Sequence, residues 1–157
     1  MAFGTDSKVF PAFIRDCLNN TASHAHDVDG DTLKVALFGN SGTPAQSAVN
    51  TLTGYDQATS AWVSANEVTA TGWAAGGLTL ASVTSTFSSV TYTLDAADRS
   101  GGASDSVTNA HGVLIFNSSI ATYKDGIAYL AFGGAVGNVS STFTVVFHAN
   151  GILTFVA

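Results

Sequence analysis

The sequence predicts an all-β fold, a mainly antiparallel, jelly-roll-like β-sandwich with one N-terminal α-helix. Three observations predict it. Several short runs after residue 32 carry apolar residues at period two. Clusters of Gly, Asn and Ser separate those runs, as turns separate the strands of a sandwich. Only the first 20 residues carry a convincing helical period.

The helix comes first. Phe10, Phe13, Ile14, Cys17 and Leu18 recur three and four residues apart and form one apolar stripe. Asp6 or Ser7 offers a cap, Pro11 suits only a first turn, and Asn19-Asn20 offers a stop. The stripe either covers one end of the sandwich or docks a partner, and the first is the simpler reading. A polar loop, His24 to Asp31, leads into a strand with Leu33, Val35 and Leu37 on one face and Lys34, Ala36 and Phe38 on the other. A long loop is expected over 39–55, and a short helix over Asp56 to Ala65 with Trp62 and Val63 as its apolar contacts. Further β runs are Leu78 to Val83, Val90 to Leu94, Gly112 to Phe116, Ile127 to Phe132, Phe143 to Phe147 and Ile152 to Val156. Residues 95–106, polar and Gly-rich, form an expected exposed loop. Asn150-Gly151 is a favoured two-residue turn pair and predicts a hairpin joining the last two runs. The whole makes one domain over 1–157, with an arm and helix over 1–20 and the sandwich over 32–157.

With 157 residues the chain suits one domain and buries enough surface to need no staples. Charged residues are only 10% of it, against about 25% in a typical soluble domain. Such a surface repels its neighbours weakly, so close packing with other subunits is cheap electrostatically. The net charge of -6, with Lys8, Arg15, Lys34, Arg99 and Lys124 scattered, argues against a nucleic-acid partner. No run approaches the ~20 apolar residues of a membrane helix, so no membrane partner is expected. Cys17 is the single cysteine and cannot form an internal disulfide. Residues 1–6 lack a basic region before an apolar run, so no secretory signal is expected.

Nothing in the sequence assembles an enzyme. His24-Ala-His26-Asp27-Val-Asp29-Gly30-Asp31 is the densest group of potential ligands. Counted from Asp27, Gly30 is fourth and Phe38 twelfth, which misses the calcium-loop requirement of Gly at six and Glu at twelve. An Asp/Gly turn bonding its own backbone is the expectation. Gly39-Asn40-Ser41-Gly42 looks like a serine-nucleophile loop but lacks an ordered base and acid. Asp95, Asp98 and Asp105 are expected to be solvated loop carboxylates. His111 and His148 border apolar strands and read as satisfied core or edge histidines, and Cys17 as inert. The glycines at 133, 134 and 137 lead into no helix and make no dinucleotide loop. The expectation is therefore no catalytic residues, no cofactor and no metal.

Three motifs in order resemble a known group. They are Asp31-Thr-Leu-Lys-Val-Ala-Leu37 after a short helix, then Asn66-Glu67-Val68 with Ala70-Thr-Gly72-Trp73 and Ala75-Gly-Gly77, then Ala149-Asn-Gly-Ile-Leu153. The arrangement resembles small virion structural proteins of tailed bacteriophages. The resemblance implies a place in a particle assembled in the bacterial cytoplasm. Capsid decoration or cement, bound to the outer face of the major capsid protein, is the first expectation. A tail or head-fibre module contacting the host is the alternative. The residues add an expectation of self-association. The runs at Val113, Ile127 and Phe143 are apolar on both faces, so a second covering is needed from the N-terminal helix, a long loop or another subunit; one helix is too small for several such strands, and a homo-oligomer is the expectation. A trimer suits the threefold positions of a capsid lattice.

Overall fold

The computed structural model describes residues 6–42, 44, 46, 49–57 and 60–156, the side chains of 50 and 51 aside. Its elements are β1 (Lys8–Val9), α1 (Pro11–Asn19), β2 (Leu33–Phe38), α2 (Asn50–Thr53), β3 (Leu78–Thr79), β4 (Thr84–Ser88) and β5 (Thr91–Asp95). There follow β6 (Arg99–Ser100), β7 (Ala110–Asn117), β8 (Gly126–Val136), β9 (Thr144–Val145) and β10 (Leu153–Val156). Every pairing is antiparallel. A five-stranded sheet runs β1-β8-β7-β2-β3, a three-stranded sheet β10-β5-β4, and β6 pairs β9. The all-β class with one N-terminal helix is therefore observed.

The central strand β7 pairs β2 on one side and β8 on the other. Its residues Val113 to Phe116 are fully buried, which requires cover on both faces. The chain supplies it. Leu114 and Phe116 lie opposite Ala36 and Lys34 and share a face with Phe38. Phe116 stacks on Tyr55, with ring centroids 4.8 Å apart and 11° between planes. Trp62 stands edge-on to Phe38 at 5.0 Å and touches Phe10 and Tyr129. Tyr55 and Trp62 are thus the lid of the main sheet. For β7 the second cover is therefore a loop of the same chain, one of the three covers the sequence left open, while Leu130 to Phe132 in β8 stay partly exposed. The run at Phe143 is not two-faced: Val145 and Phe147 are buried while Val146 is exposed.

The lid is not a helix across Asp56 to Ala65. Tyr55 N–H bonds Lys124 O, Asp56 N–H bonds Trp62 O, and only Ser64–Asn66 makes a 3-10 turn. Asp56 takes a left-handed φ of 58° and accepts from both the backbone and the hydroxyl of Ser64. Positions 58 and 59 of that expected helix, and several of the 39–55 loop, lie outside the described residues. Glu67 ties the lid to the sheet. It accepts from Tyr55 Oη at 2.6 Å, from Gly76 N at 3.0 Å and from Gly77 N at 3.1 Å. Burial first, then the bond to Glu67, holds the Tyr55 phenol well above the usual tyrosine value. A group raised in this way binds its proton more tightly folded than unfolded. Its contribution is complete below the unfolded value of about 10 and drains as the pH rises through the folded value. The melting temperature is therefore expected to fall above about pH 10. Tyr55→Phe should flatten that slope, leaving a smaller part to Tyr129, which burial also raises. An unaltered alkaline slope in Tyr55→Phe would remove Tyr55 from the account.

The predicted C-terminal hairpin does not form. Asn150-Gly151 does make a turn, with Gly151 N–H bonding His148 O and Gly151 at φ 90°. The chain leaves it toward a different partner, since Leu153 pairs Leu94 and Val156 pairs Thr91, while Val145 pairs Arg99. A corner between two sheets replaces the hairpin. The true two-residue connection is Ser89-Val90 between β4 and β5, with Ser88 opposite Thr91 and Ser89 at φ 56°.

The 95–106 segment is also not an exposed loop. Asp98 accepts from Phe147 N at 2.9 Å. Asp105 is fully buried and accepts from Gly72 N at 2.5 Å. Ala70 and Trp73 exchange backbone bonds around Gly72, and this tight turn packs on Gly101 and Gly102. Glycine at 72 permits that approach, because a Cβ there would occupy the Gly101-Gly102 backbone, and a Cβ on Gly101 would strike the side chains of Asp105 and Trp73. Asp95, half-buried, bonds its own turn through Ala96 N. Of the carboxylates expected in solvent, Asp98 is exposed while tying Phe147 N, Asp95 is partly buried, and Asp105 is a buried tie.

Candidate functional site

Helix α1 positions the first residue of the site. Its cap is Phe10, without a side-chain bond, and Ser7 instead accepts from Ala131 N. The buried face is Ala12, Phe13 and Asp16. The helix is thus turned relative to the predicted stripe, and Ile14, Cys17 and Leu18 point away from the core, Leu18 being 81% exposed. An acid at Asp16 breaks the apolar pattern, and a buried acid needs partners. Arg15 gives one, Nη2 to Asp16 Oδ1 at 2.8 Å.

The other members come from two loops. His24 Nδ1 lies 2.6 Å from Asp125 Oδ2, across 101 residues of sequence. His24 also stacks on Tyr123, with ring centroids 4.3 Å apart. Asp125 sits just before β8, where Lys124 takes a left-handed φ of 45° and Asn117 N–H bonds Asp125 O at 2.9 Å. Its side chain is 2% exposed. Asn117 Nδ2 donates to Asp31 Oδ2 at 2.6 Å and reaches His26 Nδ1 at 3.1 Å. The His26 ring meets Phe13 edge-on at 4.9 Å. Two buried atoms of this network have no partner, His26 Nε2 and Asp125 Oδ1. Burial lowers the His26 pKa and raises that of Asp125, in the latter against the pull of His24.

The sequence singled out His24 to Asp31, and the structure divides that segment. Asp27, Asp29 and Gly30 form the expected self-bonded turn, with Gly30 N–H and Asp31 N–H on Asp27 O and Asp27 N–H on Asp31 Oδ2. His24 and His26 turn inward to acids outside the segment, Asp16 and Asp125. Their sequence signal was an acid on a helix's apolar side and an acid before a buried Gly-Ile run, neither of which names a partner. Ser41 is exposed in a turn, while His24 is committed to Asp125 and Tyr123. His111 bonds Asn109 at 3.2 Å and His148 accepts from Asn150 N at 3.1 Å, both as edge or turn groups. Cys17 is exposed, and partial burial followed by Asp16 raises its thiol pKa, which agrees with an inert sulfur.

A second feature lies beside this network. An open groove of about 440 Å³ is lined by Phe13, Ile14, Cys17 and Leu18 on one side and Tyr92 and Phe155 on the other. The face of the three-stranded sheet that lines it begins in the core at Leu94 and Leu153. It leaves the core at Tyr92 and Phe155, and ends at Phe87, 73% exposed. Register places Phe87 and Phe155 on either side of Tyr92. This face is built like a core face and lacks part of its cover.

Comparison with known proteins returns no matching family, no matching curated protein and no matching solved structure. Among the described residues, no helix is long and apolar enough to cross a membrane.

Proposed function

We propose that the chain is a non-enzymatic structural subunit that associates with copies of itself and decorates a bacteriophage capsid. The observation that carries the assembly reading is the uncovered apolar face of the β10-β5-β4 sheet. On that face Phe87 is 73% exposed and Phe155 38%; on the edge strand β10 Val156, on the opposite face, is 71% exposed, and residues 84–94 and 153–156 contain no charged side chain. Proteins that keep a sheet edge to themselves guard it with charges, prolines or bulges. Neither edge of this sheet, β4 or β10, is guarded by charge or proline. Pairing β4 of one copy with β10 of the next is a head-to-tail contact, the kind that closes into rings. A three-copy ring fits the threefold positions of a capsid. The capsid itself is supported by the resemblance of the three ordered motifs. In the fold their distinctive residues Glu67, Gly72, Trp73 and Gly77 act as ties rather than as a reacting group.

Light scattering on the purified chain at micromolar concentration is expected to give a trimer. Phe87→Lys with Val156→Lys should give a folded monomer. A monodisperse monomer from the unaltered chain overturns the self-association. Particles assembled without the chain should lose resistance to heat and osmotic shock. Equal survival with failed host adsorption would move the protein to a tail or head fibre.

A further inference from the structure

We propose that Asp16, His26 and Asp125 form a binding site for one divalent transition-metal ion, with zinc the best-matched. One donor atom from each lies within 4.8 Å of the other two. A second observation points to a ligand there. Asp125, 2% exposed, leaves Oδ1 without a partner while His24 holds its Oδ2. A carboxylate gripped through one oxygen, with the other unsatisfied and buried, is arranged as a metal ligand with its supporting bond in place. His26 Nε2 is the other orphaned atom. Buried polar atoms are almost always satisfied, and two unsatisfied ones in one cluster need a reason.

Charge gives that reason a sign. Asp16, Asp31 and Asp125 bring three carboxylates to the network against the one guanidinium of Arg15. The network is thus rich in carboxylate, and buried charge is paired or bound to metal. A divalent cation cancels it. The imidazole selects zinc or a neighbouring metal over calcium or magnesium, which take oxygen ligands. Donors of a tetrahedral zinc stand about 3.3 Å apart, so binding draws the three side chains inward by roughly an ångström. Arg15, half-exposed, can swing outward as they close.

Asn117 sets the tautomer. Its Nδ2 donates to His26 Nδ1, so the ring proton of the metal-free chain is on Nε2. Zinc on Nε2 moves that proton to Nδ1, the ring staying neutral, and Asn117 must then give way.

The experiment is calorimetric titration of zinc chloride into the full chain, with thermal melting alongside. One zinc per chain is expected, with a raised melting temperature and the His26 proton found on Nδ1 by nitrogen-15 NMR. Asp125→Asn still offers His24 an acceptor and removes a buried charge, so it folds, which circular dichroism checks. Asp125→Asn and His26→Gln should each weaken zinc by more than about tenfold. Asp27→Asn with Asp29→Asn, in the exposed turn, should leave it unchanged. Absence of saturable zinc uptake by the unaltered chain overturns the proposal. So does uptake that survives Asp125→Asn and His26→Gln, uptake lost in the turn variant, or a preference for calcium. None of these outcomes depends on the oligomeric state.

Discussion

Gly72→Ala is expected to destabilise the chain by more than about 4 kcal/mol. A Cβ at this position would stand 1.7 Å from Gly102 N and 2.6 Å from Gly101 C. Both are backbone atoms, so no side chain can rotate to make room. Relief requires the 70–73 turn to lift from the 101–105 segment. That movement pulls Gly72 N–H from the buried Asp105 carboxylate, whose Oδ2 already has no partner. It also disturbs Trp73, which donates to Phe143 O at 3.3 Å from the same turn. Overpacking and a stranded buried charge therefore act together. For a domain of this size the melting temperature should drop by roughly 10–15 °C. Gly134→Ala is the control, since a Cβ there meets nothing within 4 Å, and it should stay within about 0.5 kcal/mol of the parent. Calorimetric melting decides the matter. A Gly72→Ala chain as stable as Gly134→Ala would mean that the two backbones are not in contact.

What the sequence disclosed and concealed follows from the range of the forces involved. β2 and β10 were legible because each is a short apolar run bounded by polar turn residues. β4, Thr-Ser-Thr-Phe-Ser, has a single apolar residue and was passed over, because its order comes from β5 and not from burial. The turn at Asn150-Gly151 was legible, and its consequence was not. Turn chemistry sets a local bend, but Leu94 and Thr93 of β5 compete for the departing strand and win it. The glycines at 72, 101 and 102 looked like loop composition, and only the fold shows that they face one another. The candidate site fared likewise. His24 and His26 stood out as a pair two residues apart, whereas Asp125 lies 101 residues from His24 and Asp16 is on a helix read as wholly apolar on that side. Spacing rules detect sites built from one segment, and this one is built from three.

Trp62→Ala should cost about 3–5 kcal/mol, the range for emptying a large aromatic from a core. Trp62 is among the largest fully buried side chains, and three rings converge on it. Phe38 meets it at 5.0 Å and 79°, Tyr129 at 5.9 Å and 37°, and Phe10 at 6.1 Å and 82°. These rings belong to β2, β8 and the residue before α1, so one indole joins the main sheet to the helix. The backbone around it offers no rescue. It is held by single turn bonds such as Asp56 N–H to Trp62 O, not by a helix that would persist without its anchor. Once the indole is gone, the lid loses its grip and Tyr55 its fixed stacking on Phe116. Loss should therefore spread beyond the cavity. Hydrogen exchange is expected to quicken at the amides of β2 and β7 under the lid, while β4 and β5 keep their rates apart from the global change. Trp62→Phe retains an edge toward Phe38 and should lose less than half as much. Near-equal exchange across both sheets, with a loss below about 2 kcal/mol, would show that the lid is held by contacts other than this ring cluster.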